Sequence, residues 1–359
     1  MKPLLLSLFL SLQFISSSHA QSERLLGKWV LDIVLSEDNT LLPINDIQFS
    51  TEAIYVISPH KIEIHGYEQP ARFIGSSEIQ LGTRTLKYGF SEDYLILIES
   101  GSNKKLCLLK HTDFIKKYPE FKEKRVPNFS TEVYEMNKLS DVSFQHPEVK
   151  ELQFYVIANS PLLKKKTSGN FQFTIDFLLS PENFISDILI EGINDKKMEA
   201  EVRKAVFAAN QFYRNNTGKT LLVSTPFQFF KMYKSFDEPT KKVYDHYLSG
   251  DDWYAQNEFE KAIQEYEKGL NIEFDKKRFT GLFYEDYIIH LGVSYLATNQ
   301  LEKADKTFRI LGDETNFKIR NYLRYFSPKT KSLKEIKYQQ KLRITINSIL
   351  YRNSKHPDT

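Results

Sequence analysis

Between Ser22 and His111, apolar and polar residues alternate in short runs separated by turn signals. A period of two turns one face of each run toward a core and the other toward water, which is typical of antiparallel strands. Seven strands are predicted: Lys28–Leu35, Ala53–Ile57, Lys61–His65, Ala71–Gly75, Thr85–Tyr88, Tyr94–Glu99 and Leu106–Lys110. Such a meander leaves two open edges unless it closes, so the pattern predicts a small antiparallel β-barrel.

The middle of the chain combines strand and helix periods in a fixed order. Alternating apolar positions predict a strand over Phe171–Phe177 and a second over Ile185–Ile190. A helix follows from Lys196 to Asn210, with Asp195 placed to cap it. Its apolar face comprises Met198, Val202, Ala205, Val206 and Ala209. A Gly-Lys turn then leads into a last strand, Thr220–Phe230, which completes an α+β domain.

One helix-pair pattern occurs twice between Val243 and Lys318. The first copy contains Gly250, Trp253, Ala262 and Tyr266, and the second has Gly292, Tyr295, Ala304 and Phe308 at identical spacings. Small residues let two helices approach closely, and rings cover the contact with the next helix. The pattern therefore predicts stacked helical hairpins.

The opening Leu26-Gly27-Lys28-Trp29 resembles the Gly-x-Trp start of lipocalin-like barrels. In those barrels the tryptophan plugs the closed end, so the resemblance implies that Trp29 is buried there. Two interiors are compatible with it. The barrel is either filled by its own side chains or holds a small apolar ligand.

The order of elements from 151 to 231 resembles the carboxy-terminal domain of TonB. The matching segments are Gly169-Asn170-Phe171, Asp187–Ile190, Asn216–Lys219 and Pro226–Phe229. The resemblance implies a free sheet edge that accepts an extended segment of a partner protein. We expect that edge along Thr220–Thr225.

The two helical copies resemble tetratricopeptide repeats, through Gln256–Ala262 and Gln300–Ala304. The resemblance implies a protein-binding groove on the first helix of each copy. Its expected lining is Tyr244, Tyr247, Tyr254, Asp286, Ile289, His290 and Val293. This lining is mostly aromatic and apolar, which favours an apolar segment or helix as the guest. That guest is either another protein or the chain's own helix predicted over Ser332–Asn353.

The first twenty residues have the pattern of a secretory signal peptide. Lys2 precedes an apolar run, Leu4–Ile15, and Ser18-His19-Ala20 supplies small residues at a cleavage site. We expect cleavage before Gln21 and a periplasmic or secreted location in a bacterial envelope.

The net charge of +3 conceals a strongly basic segment, Asn316–Thr359. In an exported protein this favours peripheral contact with anionic lipid or an acidic partner over nucleic acid; the alternative is a solvated helix face.

Candidate chemistry is scarce in the sequence. It has no Gly-x-Ser-x-Gly, His-Glu-x-x-His or phosphate-binding glycine-rich motif. Its single cysteine, Cys107, excludes an internal disulfide and lies in an apolar run, where a buried, inert thiol is expected. His60 and His65 would point to opposite faces of one strand, which does not suit a shared metal. We expect a non-enzymatic protein without catalytic residues, cofactor or metal.

Together these patterns predict a multidomain α and β protein. The predicted order is signal peptide 1–20, lipocalin-like β-barrel 21–111, linker 112–150, TonB carboxy-terminal-like α+β domain 151–231, two tetratricopeptide repeats 240–320 and basic helical C-terminal cap 321–359. The predicted role is a protein-binding scaffold whose partner is another envelope protein or a peptide segment. The first alternative is a carrier of a small apolar ligand in the barrel. The second is an enzyme whose residues are assembled across domains, which a cleft with a strongly perturbed acid or base would support.

Overall fold

The computed structural model describes residues 24–75, 77–166, 171–229, 236–274 and 281–328. The predicted signal peptide, residues 1–20, and the helix predicted over Ser332–Asn353 lie outside these residues. The chain forms two compact units: Met1–Glu120 with Ile288–Thr359, and Phe121–Tyr287. We call them the first and second units. Among the described residues, no helix has the length and apolar character needed to cross a membrane.

The N-terminal strands of the first unit form a closed antiparallel barrel in chain order, which confirms the predicted barrel. The strands are β1 Gly27–Ser36, β2 Ile54–Ser58, β3 Lys61–Ile64, β4 Tyr67–Ile74, β5 Glu78–Leu81, β6 Arg84–Ser91, β7 Tyr94–Glu99 and β8 Lys104–Lys110. The prediction missed β5, because four residues with two buried positions give too short an alternation to recognise. β8 pairs with β1 and leaves no open edge in the barrel.

Trp29 is buried inside the barrel, as predicted, with 2% of its surface exposed. Its indole N–H donates a hydrogen bond to the Leu25 carbonyl at 2.8 Å, which satisfies the ring's one polar group. The Phe90 ring lies 6.2 Å from it. Several other apolar side chains of the inner face have no exposed surface, namely Ile62, Ile79, Leu95, Leu97 and Leu108. No water-sized void therefore adjoins these five side chains, so this part of the barrel is filled by its own side chains.

Two helices of the first unit cover the outer face of the barrel, α1 His111–Lys117 and a C-terminal helix, Phe317–Phe326. The rings of Phe114 and Phe317 stack at 6.0 Å. The loop between β1 and β2 is fixed to the C-terminal helix, because Asn321 donates to the Phe49 carbonyl at 2.9 Å and Tyr322 to the Ile44 carbonyl at 3.1 Å. The predicted boundary between residues 320 and 321 thus falls inside a helix that belongs to the core of this unit.

The α+β part of the second unit has the predicted strand–helix–strand order. Its elements are β9 Val133–Glu135, β10 Val142–Phe144, α2 Leu152–Ala158, α3 Pro161–Lys166, β11 Phe171–Leu179, β12 Ile185–Glu191, α4 Lys196–Ala208, β13 Tyr213–Asn215 and β14 Thr220–Phe229. The main sheet has the order β12-β11-β14-β9, and β10 pairs with β13. The Asp195 carboxylate caps α4 by accepting from the Lys197 and Met198 amides, as predicted.

Residues 112–150 are not the linker that the sequence suggested. They contain α1, β9 and β10, together with a 3₁₀ turn at Pro119–Phe121. Each of the two strands has only three residues. Such short strands show no periodicity of their own, and only their pairing with distant strands defines them.

The remaining helices are α5 Glu238–Ala255, α6 Phe259–Leu270, α7 Gly281–Ala297 and α8 Leu301–Phe308, and the C-terminal helix Phe317–Phe326 becomes α9. The pairs α5–α6 and α7–α8 have the same turn, with Asn257 and Asn299 both at φ 61°. A Cβ atom at Gly250 would lie 2.3 Å from the Tyr266 ring, and one at Gly292 would lie 2.5 Å from the Phe308 ring. The repeated glycines therefore allow the two helices of each pair to touch.

We predict that Trp29→Ala lowers the free energy of unfolding by about 3–5 kcal/mol, the range for truncating a buried large aromatic side chain. Urea denaturation followed by circular dichroism measures the loss. In a Trp253→Phe background, the emission of Trp29 should be shielded from iodide. A loss below about 1 kcal/mol would mean that Trp29 does not hold the barrel core together.

We predict that Gly250→Ala and Gly292→Ala each destabilise the protein by about 1–3 kcal/mol, because the new methyl group displaces a buried ring. Gly89→Ala is the matched control, since a Cβ there meets no atom within 4 Å. Thermal unfolding compares the three variants. Equal melting temperatures for all three would contradict the proposed close packing of the helices.

Candidate protein-binding surfaces

The groove predicted on the helical hairpins includes side chains that are buried. In the second unit, Tyr247 is only 6% exposed and its ring lies 5.8 Å from that of Tyr287 and 6.3 Å from that of Phe283. Tyr244 and Tyr254 are half-buried. Tyr247 is thus a core residue between α5 and α7, because its face of α5 packs on the next helix.

A carboxylate orients the tyrosines of this core. The Tyr266 hydroxyl donates to Asp251 at 2.6 Å. Burial, and then the adjacent Asp251 charge, raise the pKa of the Tyr247 phenol. These tyrosines therefore remain neutral hydrogen-bond donors at physiological pH. Asp286, the fourth predicted residue in this unit, is half-buried.

The other three predicted groove residues belong to the first unit. Ile289 and His290 are half-buried, whereas Val293 has no exposed surface. Val293 follows Gly292, the position where α7 meets the Phe308 ring of α8. The expectation that Tyr247 and Val293 line an open surface is corrected here, since both side chains are buried.

A hairpin of the chain itself occupies part of the sheet edge that was predicted to accept a partner. β9 pairs with β14 in parallel over Thr220–Leu222. On its other side β9 meets residues 124–126, because the Val126 amide donates to the Val133 carbonyl and the Glu135 amide to the Lys124 carbonyl, both at 2.8 Å. We call residues 124–135 the strap hairpin. Sequence patterns gave no sign of it, because its strands are too short.

Lys219 fixes the strap hairpin at the start of β14. Its Nζ lies 3.1 Å from the Glu123 carboxylate and 4.7 Å from the centre of the Tyr134 ring. Burial of Glu123 acts against ionisation, but hydrogen bonds from its own amide, Lys219 and Ser140 hold the pKa below its usual range. The ion pair is thus present throughout the neutral range.

Beyond Leu222 the edge of β14 is no longer covered by β9. The last bond runs from the Met136 amide to the Leu222 carbonyl at 3.0 Å, so even-numbered residues of β14 turn their backbone groups toward this edge. Within the described residues, the Ser224 amide and carbonyl have no backbone partner on this side. Pro226 has no amide hydrogen, and its carbonyl accepts from the Gln153 side chain at 2.5 Å.

A pocket of about 310 Å³ adjoins the uncovered stretch of β14. Its apolar lining comes from Met136, Val142, Phe144, Leu152, Tyr213 and Val223, and Lys138 and Lys150 also line it. Val223 and Thr225, the two neighbours of Ser224 in β14, both contribute to the wall of this pocket. The amide and carbonyl groups of Ser224 therefore lie beside a pocket that can hold an apolar side chain of a partner.

The first unit contains a different polar cluster, centred on Asp32. This residue is the extra residue of a β-bulge in β1, where the register with β8 shifts between Leu31 and Ile33. Its carboxylate is 1% exposed and accepts from Arg320 at 2.8 Å and Arg324 at 3.1 Å, both on α9. Three further donors are Tyr94 at 2.6 Å, Lys117 at 3.0 Å and Tyr118 at 3.2 Å.

The Asp32 cluster has a structural role. Burial disfavours the Asp32 charge, but Arg324, Arg320 and Lys117 outweigh it and hold the pKa far below its usual value. Two of these three cations lie on α9, so the cluster fixes this helix to the barrel.

Close by, burial raises the pKa of Cys107 to about 11, so its thiolate is scarce at neutral pH. In the ranges covered by the structure, no three His, Cys, Asp or Glu side chains are placed to hold a metal ion.

Comparison of the chain with family models, curated proteins and solved structures gives no match. The fold therefore defines only a class: a mixed α and β protein with a closed eight-stranded antiparallel barrel, consistent with a lipocalin-like barrel.

We predict that Asp32→Asn lowers the free energy of unfolding at pH 7 by about 3 kcal/mol, because it leaves buried guanidinium charge uncompensated. The folded pKa of Asp32 lies below its unfolded value of about 3.9, so its contribution is present above that pH and declines as the pH falls below it. Urea denaturation at pH 7 and pH 3 should show a smaller acid loss for the variant than for the wild type. Glu37→Gln, at an exposed neighbouring site, is the control, and equal curves for both variants would refute the role of Asp32.

Proposed function

We propose that this chain is a non-enzymatic, protein-binding scaffold of the bacterial envelope that takes an extended segment of another protein along β14. The observation that carries the proposal is the uncovered backbone of Ser224 beside an apolar pocket. A sheet edge of this kind gives affinity through main-chain hydrogen bonds, while a neighbouring pocket gives specificity through one side chain.

The strap hairpin sets where such a segment starts. Because β9 covers Thr220–Leu222, a partner strand pairs from Ser224 onward. Its side chains alternate, so one apolar residue enters the pocket lined by Met136 and Phe144 while its neighbours face solvent. The absent N–H of Pro226 and the bond from Gln153 limit the length of edge that pairs. We therefore expect a short recognition segment.

The helical hairpins are part of the same proposal, as repeats of the tetratricopeptide kind. The matched contacts of Gly250 with Tyr266 and of Gly292 with Phe308 support this assignment. So does the equal conformation of Asn257 and Asn299 in the two turns. Repeats of this kind usually present a surface to another protein. The exported location and the contact of the basic C-terminal segment with anionic lipid belong to the proposal as well.

We predict that Ser224→Pro weakens partner binding about fivefold or more, since it removes an edge-facing amide worth about 1 kcal/mol and adds a steric barrier. The fold should tolerate the change within about 1 kcal/mol, because Ser224 turns its amide away from β11, as the neighbouring Pro226 position does. Capture of a partner from envelope extract on immobilised protein, followed by its affinity, is the measurement.

Ser224→Ala is the matched control, because it removes the hydroxyl and keeps the backbone amide. The expected result is that wild type and Ser224→Ala bind one partner equally and Ser224→Pro does not. Equal binding by all three proteins would exclude strand addition at this edge.

A further inference from the structure

An exposed apolar groove lies at the other edge of the main sheet, between β12 and α4. The strand order places β12 at the edge opposite β9. The groove encloses about 610 Å³. Phe184 from the β12 side is 49% exposed and Phe207 from α4 is 54% exposed, and their rings meet edge to face at 6.2 Å. Large apolar side chains that are exposed next to each other are typical of interaction sites.

The backbone of β12 does not offer a pairing edge to a guest in this groove. The register with β11 shifts between Asp176 and Leu178, and Asp187 adopts a left-handed conformation with φ 50°. The Arg203 guanidinium donates to the Ile188 carbonyl, and the Ile185 amide is bonded to the Asn210 side chain at 2.8 Å. Along the groove, the bulge and these two bonds interrupt the regular edge of β12, which disfavours an added strand there.

A guest in the groove must therefore satisfy its own backbone hydrogen bonds. An α-helix does so, because all its central amides and carbonyls pair within the segment. An extended segment would turn part of its backbone toward the apolar walls formed by Phe184, Ile188 and Ala200, which offer it no hydrogen bonds. The geometry thus selects a helical guest with an apolar stripe.

The charge on the wall adds a second requirement for the guest. Lys204 is exposed, lines the groove and makes no ion pair with the residues that the structure describes. Arg203, one residue earlier, is already paired with Glu199 at 2.8 Å. Lys204 is therefore the cation that remains available to a carboxylate of the guest.

We propose that this groove binds an amphipathic helix of a partner protein, with its apolar stripe against Phe184 and Phe207 and an acidic residue beside Lys204. This surface is separate from the β14 edge, and it would recognise the side chains of its partner and not the backbone. The proposal does not depend on strand addition.

The test uses the full chain and a fluorescein-labelled synthetic helix with Leu at positions i, i+3, i+4 and i+7 and Glu flanking that stripe. Fluorescence anisotropy measures its binding, and a peptide of scrambled sequence is the negative control. Phe207→Ala should weaken binding about tenfold, as the loss of an aromatic anchor commonly does. Because Phe207 is exposed, this variant should fold normally, which circular dichroism checks.

A charge exchange then tests the acidic requirement. Lys204→Glu should weaken binding of the Glu peptide about fivefold and strengthen that of a peptide carrying Lys instead, because the repulsive and attractive pairs are interchanged. Lys197→Glu is the matched control, an exposed lysine of the same helix that does not line the groove. It should change neither affinity by more than about twofold, since isolated surface charges contribute little.

Several outcomes would overturn the proposal. These are equal binding of the scrambled peptide, equal effects of Lys204→Glu and Lys197→Glu, or no saturable binding up to about 1 mM peptide. Loss of peptide binding in Ser224→Pro would place the peptide on the β14 edge instead. A dimer in sedimentation analysis that Phe207→Ala dissociates would identify the occupant as a second copy of this chain.

Discussion

The buried carboxylate of Asp32 is the interaction on which the first unit depends. A charge removed from water is costly unless opposite charges and hydrogen-bond donors surround it, and here α9 supplies Arg320 and Arg324. The bulge in β1 sends this carboxylate to the outer face of the barrel, where the helix lies. Barrel and C-terminal helix therefore stabilise each other: without α9, Asp32 would lose two of its three cations, and without Asp32, two guanidinium groups would lose their carboxylate acceptor.

The edges of the β-sheets are protected from unwanted pairing in different ways. The barrel removes its edges by closure. In the α+β domain, the strap hairpin covers the start of β14, and a bulge with a bond from Arg203 interrupts the edge of β12. A short stretch around Ser224 keeps backbone groups directed outward. An edge that is covered over Thr220–Leu222 and left open at Ser224 favours a specific partner over nonspecific aggregation.

The two edges of the α+β domain differ in what they can recognise. At Ser224 the backbone is available and the adjoining pocket is small, so recognition favours an extended segment. Between β12 and α4 two backbone groups are already bonded, the strand is bulged and the walls carry exposed rings, so recognition favours a helix. The two proposed sites would give one small domain two guests of different shape, which is the arrangement expected of a scaffold.

The sequence by itself determined the elements whose periodicity is local: most barrel strands, α4 with its Asp195 cap, and the paired helices whose glycines face rings. These patterns depend on residues a few positions apart. Tertiary structure decided the rest. The two arginine partners of Asp32 lie 288 and 292 residues away in the chain, and β9 acquires its strand conformation only by pairing with β14. Tyr247 and Val293 were predicted to line a groove because a helical pattern identifies an apolar face. Only the tertiary structure determines whether another part of the protein covers that face.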